Sequence, residues 1–225
     1  MKIHADLSRR AVVKSPELPW VPSPLPGVDR RMLERDGGEI ARATSIVRYA
    51  PESFFAQHEH SGGEEFFVLD GVFSDESGDY PAGWYVRNPI GSRHRPHTQS
   101  GTTILVKLRQ FQIGDDEYVR TDTNSGSWSP GEAEGVTIMA LHAFGTERVS
   151  LARLATGTRM PERAYPEGAE MFVLEGEIRD EHGVYPEGTW IRSPAGFSHR
   201  LRSPSGARLL VKTGHLPAAP ASDVR

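Results

Sequence analysis

The heptapeptide Glu65-Phe66-Phe67-Val68-Leu69-Asp70-Gly71 returns as Glu170-Met171-Phe172-Val173-Leu174-Glu175-Gly176, and the match runs on without gaps at an offset of 105. At that offset Asp75-Glu76, Gly78, Tyr80-Pro81, Gly83, Arg87, Pro89, Gly91 and His94 meet the identical Asp180-Glu181, Gly183, Tyr185-Pro186, Gly188, Arg192, Pro194, Gly196 and His199. Self-similarity over such a span marks two copies of one structural unit. With 225 residues the chain is long enough for each copy to bury a core.

Each copy carries β-branched and aromatic runs separated by turn signals; in the first copy these are 44–49, 65–69, 84–86 and 102–108. Gly (23) and Pro (17) are plentiful, which favours many turns between short strands over long helices. The expectation is an all-β chain built of two small antiparallel barrels or jelly rolls. Pro81-Ala82-Gly83 and Pro186-Glu187-Gly188 read as tight turns, Pro presetting one dihedral and Gly admitting positive φ. Phe54, Phe55, Phe66, Trp84, Tyr85 and Ile104 are the expected apolar walls of the first barrel.

Composition shifts divide the chain. Residues 1–37, with Pro16, Pro19, Pro22, Pro24 and Pro26 around Trp20, read as an extended Pro-rich segment. The first barrel is expected over 38–118 and the second over 136–217, with a polar, turn-rich linker at 119–135, a boundary near residue 125 and a tail at 218–225.

A formal charge of -4 with intermixed signs offers no broad basic face, which argues against nucleic acid as a partner. The apolar runs are too short to span a bilayer and the first residues lack the apolar core of a signal peptide, so a cytoplasmic protein without membrane contact is expected. There is no cysteine, hence no disulfide, thiolate ligand or thiol nucleophile.

Chemistry concentrates in His58-Glu59-His60-Ser61-Gly62-Gly63-Glu64 and in His94, thirty residues further on. Alternate residues of a strand share a face, so His58 and His60 can grip one ion, with Glu64 returning across the Gly-rich bend and His94 arriving from a distant turn. Imidazole and carboxylate suit a divalent transition metal such as zinc, iron(II), manganese, cobalt or nickel. In the second copy His58, His60 and Glu64 meet Arg163, Tyr165 and Ala169, and only His199 persists, so one metal per chain is expected. Glu65 recurs as Glu170 in the copy without the site, which assigns Glu65 to the fold and Glu64 to the metal. Arg163 either pairs inside the barrel, with Glu170 as partner, or points outward. His4, His97, His142, His182 and His215 are expected at the surface or in turns, while Arg93 and Arg95 either attract an anionic small molecule or face solvent.

The patterns His58-x-His60-x3-Glu64-x6-Gly71 and Gly83-x5-Pro89-x-Gly91-x2-His94 resemble the two cupin motifs, in order and in spacing. Glu52 stands where the first motif has Gly and Thr98 where the second has Asn; neither is a ligand position. The resemblance implies two tandem cupin barrels, double-stranded β-helices, in one chain. More narrowly, Gly71-Val72-Phe73-Ser74-Asp75-Glu76, Gly78-Asp79-Tyr80-Pro81-Ala82-Gly83 and Tyr85-Val86-Arg87-Asn88-Pro89 are similar to the cupin-like domain of the ChrR anti-sigma factors, in both halves. That resemblance implies zinc held by His58, His60, Glu64 and His94, and a role in transcriptional responses to oxidative stress. ChrR-type regulators grip their sigma factor with a separate helical domain that uses His and Cys, so a chain without cysteine puts direct sigma-factor binding in doubt. A broader similarity, to small iron dioxygenases that cleave β-diketones, implies instead an Fe(II) enzyme acting on a small chelating molecule bound near the metal. Cupin pairs often pack through their sheets, and homodimerisation stays open.

Overall fold

The computed structural model describes residues 1–217, and the expected tail at 218–225 lies outside them. Strands dominate. Among the described residues the only helical turn is a 3-10 turn at Ser15–Glu17. Two compact units form, Met1–Ala5 with Leu18–Gly126, and Asp6–Glu17 with the chain from Ser127.

In the first unit the main sheet runs in the order Lys2–Ile3, Val28–Gly37, Ala41–Tyr49, Thr102–Leu108, Glu64–Asp75, Trp84–Asn88, Val119–Asp122. In the second it runs Ser129–Pro130, Val136–Phe144, Glu147–Leu154, Ala207–Thr213, Ala169–Asp180, Thr189–Ser193, Ala11–Lys14. The repeat is thus visible in the strand order. Two expectations need correction. Residues 119–135 are not simply a linker, because Val119–Asp122 pairs antiparallel with Trp84–Asn88 as an edge strand of the first unit. Nor is 1–37 only an extended cover: Val28–Gly37 pairs with Ala41–Tyr49 along its length, and Ala11–Lys14 forms the edge of the second unit beside Thr189–Ser193. Both segments are polar or Pro-rich, and an edge strand needs one paired side of its backbone rather than an apolar side-chain pattern.

Strand alternation builds each core. Phe66, Val68, Val86, Ile104 and Val106 gather inside the first unit with Phe73 and Tyr80, and Met171, Val173, Ile191 and Leu209 do so in the second with Ile178 and Tyr185. Even-numbered Phe66 and Val68 share a core with odd-numbered Phe73 because the register against Thr102–Leu108 slips between Asp70 and Val68, a bulge at Leu69. The second unit has the same slip between Val173 and Glu175. The bulge therefore turns both Glu64 and Asp75, at opposite ends of one strand, toward one interior. Of the expected wall residues, Phe66 and Ile104 lie in the core and Phe55 and Trp84 pack on it. Tyr85 is fully buried yet alternates with Val86 and so takes the other face. Phe54 is exposed, stacked on His97.

Outside the core, Glu65 and Asp115 clamp the fully buried Arg87. In the second unit Glu170 accepts a hydrogen bond from Trp190 Nε1 at 3.1 Å and has His215 Nε2 at 3.1 Å. His142 is buried within the strand Val136–Phe144, so the expectation of a surface or turn position fails for it, while His215 lies in the bend beyond Thr213 with its ring turned inward.

The turn after each bulge demands glycine. Gly71 (φ +73°) and Gly176 (φ +74°) would each drive a Cβ to 2.1 Å and 2.2 Å from the carbonyl oxygens of Gly101 and Gly206. Gly71→Ala and Gly176→Ala are expected to cost about 2–4 kcal/mol each in denaturant unfolding. Gly196→Ala, with φ +79° but open space around its Cβ, should cost about 1 kcal/mol, from the dihedral alone.

Candidate metal centre

Three separate pieces of backbone bring the donors together. The short strand His58–Glu59 pairs with Arg93–His94, so that His94 faces His58 directly. His60 follows on the turn, and Glu64 opens the long central strand. His58, His60 and His94 each offer a ring nitrogen within 4.8 Å of the others. Their rings stand 4.7–5.0 Å apart, each pair inclined by 71–74°, as three imidazoles radiating from one point do. Glu64 Oε2 lies 3.4 Å from His60 Nε2 and 3.6 Å from His94 Nε2.

These donors fit a metal. His60 Nε2 and His94 Nε2 are buried and make no hydrogen bond, a costly arrangement unless something else satisfies them. Two ligands about 2.1 Å from one tetrahedral ion stand about 3.4 Å apart, the spacing Glu64 keeps with both imidazoles. The three histidines form one cluster, and Glu64 joins it on the side of His60 and His94. His58 is exposed while the other three are buried, so the cluster meets solvent on one side.

Burial holds His60 below the usual imidazole pKa, against the pull of the Glu64 charge. For His94 burial works in the same direction but is outweighed by the hydrogen bond with Asp75 and by Glu64, so its pKa is raised. Asp75 Oδ2 lies 3.2 Å from His94 Nδ1, while its Oδ1 accepts from the Tyr80 hydroxyl (3.0 Å) and the Ser77 backbone N–H (2.8 Å). That contact puts the proton on Nδ1 and leaves Nε2 as a lone pair facing the cluster. On the other side, Asn88 Nδ2 donates to Glu64 Oε2 at 2.9 Å.

Asp75 and Asn88 were not among the residues expected from sequence. A signal for Asn88 existed: Glu64 pairs with Asn88 in register, and the same register in the second unit pairs Ala169 with Ser193, so the amide and the carboxylate change together.

A cavity of about 470 Å³ opens over His58, His60 and Glu64, walled by Val28, Val47, Phe55, Val106 and Leu108. Tyr49 lines it as well; burial, with Glu64 close by, pushes its phenol well above the ordinary value, so it keeps its proton. Arg93 is drawn to Glu59 at 2.6 Å on the exposed rim and is not part of the cavity wall.

The second unit keeps the support and lacks the donors. Asp180 Oδ2 lies 3.0 Å from His199 Nδ1 and Asp180 Oδ1 accepts from Tyr185 at 2.6 Å, while His199 Nε2 meets the Tyr165 hydroxyl at 3.4 Å. Arg163 points outward to Glu132 at 3.1 Å, which rules out the inward pairing with Glu170.

The profile of the ChrR cupin-like domain matches residues 8–112 and again 116–217. No curated protein matches the sequence. Among solved structures, a candidate dioxygenase from Nostoc punctiforme superposes with a TM-score of 0.79 at 14% identity, over 96% of this chain and 86% of that one. The pirin YhhW from Escherichia coli, in complex with nickel(II), has a TM-score of 0.70 at 14% identity over 94% and 100%. A point mutant of Bacillus subtilis oxalate decarboxylase has 0.62 at 13% identity over 93% and 78%. At such identities the likeness concerns the fold, two cupin barrels in one chain.

Two outcomes follow. Asp75→Asn should weaken metal binding about 10–100-fold in a chelator competition, by loosening the His94 tautomer. Burial raises the Asp180 carboxyl, but hydrogen bonds from Tyr185, His199 and the His182 backbone hold it below its ordinary 3.8. Its contribution to stability is therefore complete above that ordinary value and lost as pH falls through the depressed one. Acid unfolding monitored by tryptophan fluorescence should show a flatter decline between those two values for Asp180→Asn than for the wild type.

Proposed function

The chain belongs to the ChrR cupin-like domain family through both of its repeats, and from that premise we propose that its first unit holds one divalent transition metal through His58, His60, Glu64 and His94. The protein then works in the cytoplasm as a metal-bound sensory module of the transcription-regulatory kind, with zinc as the resident ion. The observation that carries the metal is the convergence of two buried, unpartnered imidazole nitrogens on one carboxylate oxygen. Once bound, the ion supplies Lewis acidity and a fixed positive charge at the foot of the cavity. The protein's own groups orient the donors, keep water from the buried side and leave the His58 side open to a small molecule.

One observation favours a second reading, an Fe(II)-dependent dioxygenase acting on a small chelating molecule such as a β-diketone. The cavity over the donors is in the range that holds a small ligand, and its apolar walls suit a hydrocarbon body with a polar head directed at the ion.

Elemental analysis of protein isolated without added metal separates these readings. About one equivalent of zinc is expected, lost or weakened at least tenfold in His60→Ala, with no oxygen uptake after anaerobic iron(II) reconstitution in the presence of β-diketones. Substrate-dependent oxygen consumption would move the assignment to the dioxygenase, and wild-type protein that takes up no metal at all would end both.

A further inference from the structure

We infer that Arg120 is the positioning residue of the metal centre, fixing the direction of both hydrogen-bonded chains that end on its ligands; the inference rests on the metal reading above. Arg120 sits on the edge strand Val119–Asp122, in register with Val86. Its Nε donates to the Tyr80 hydroxyl at 3.0 Å, Tyr80 donates to Asp75 Oδ1 at 3.0 Å, and Asp75 Oδ2 faces His94 Nδ1 at 3.2 Å. Its Nη2 donates to Asn88 Oδ1 at 2.6 Å, and Asn88 Nδ2 donates to Glu64 Oε2 at 2.9 Å. Its Nη1 is held by the carbonyls of Arg87 (2.7 Å) and Val119 (2.9 Å), which locks the plane of the guanidinium.

A guanidinium only donates, and its donors leave in a rigid fork. With Arg120 donating to its oxygen, Tyr80 gives its own proton to Asp75, an ionised carboxylate that only accepts, from Tyr80 on one oxygen and from His94 on the other. Because Arg120 takes Asn88 Oδ1, the Asn88 amide cannot flip and must present N–H to Glu64. Two ligands from different parts of the sequence are thus oriented by one side chain that touches neither.

The second unit provides an internal comparison. There the position in register with Ile191, the counterpart of Val86, is Val12. Arg120, Asn88 and Glu64 are replaced as a set by Val12, Ser193 and Ala169. Tyr185, Asp180 and His199 persist, and Arg10 Nη2 serves that branch alone, at 2.8 Å from Tyr185 and 3.0 Å from Asp180. The branch that belongs to the fold survives without the donors; the branch that ends on Glu64 is absent with them.

The test uses the full chain, with zinc affinity from chelator competition and the visible spectrum of the cobalt(II) form as readouts. Arg120→Met should bind zinc about 10–100-fold more weakly and shift the cobalt(II) bands, and Arg120→Lys, which keeps the charge without the fork, should fall between it and wild type. Arg10→Met, the counterpart in the second unit, should leave both readouts unchanged. If Arg120→Met does not fold, Arg120→Lys and Asn88→Ser decide: their combined loss should be smaller than the product of the single losses, because both break one chain. Lower thermal stability with wild-type zinc affinity and an unshifted cobalt(II) spectrum would overturn the inference, as would losses in Arg120→Lys and Asn88→Ser that simply multiply. A wild type that takes up neither ion overturns the metal reading instead, and this inference with it.

Discussion

The antiparallel register of Glu64–Asp75 against Trp84–Asn88, together with the bulge at Leu69, is the constraint from which the rest of the first unit follows. Side chains alternate along a strand, so a slip of one residue would send Glu64 outward and bring Glu65 in. In the observed register Glu64, Phe66 and Val68 face the interior, and Glu65 meets Arg87 on the other face. Without the bulge the same parity would carry through to Asp75 and turn it away from His94. One extra residue in one strand thus brings Glu64 and the carboxylate that meets His94 into the same space.

The two units divide the causes of this arrangement between them. Both keep the bulge, the left-handed glycine behind it and the Asp–Tyr–His contact, so these belong to the barrel. Only the first keeps Glu64 and the two histidines of the His-x-His pair. Where they are missing, the space around His199 is closed by Tyr165, and Arg163 leaves for the surface. A neutral hydroxyl in that space avoids burying a guanidinium without a partner, which would be costly inside a barrel.

Much of this was legible in the chain. The offset between the copies revealed two barrels, because a repeated pattern of strands and glycines reflects backbone requirements that each copy has to meet by itself. The clustering of the four side chains was legible for a related reason: His58 and His60 are two apart, Glu64 follows a glycine bend, and comparison of the copies separates Glu64 from Glu65. Asn88 leaves only a faint mark, its change to Ser193 in the copy where Glu64 becomes Ala169, and nothing in chemistry or spacing marks Arg120, which lies in a stretch whose polarity reads as linker.

The sequence by itself determined the fold class, the duplication and the candidate metal-binding residues, since these depend on local pattern: alternation, turn residues and side-chain chemistry at short range. Only the tertiary structure decided which edge each flanking segment completes, which parity the strand has after its bulge, and which side chains hydrogen-bond to Glu64 and His94. Those depend on backbone pairing between segments far apart in the chain, such as Val119 with Arg87 or Ala11 with Arg192, and any polar segment of the right length could have made it.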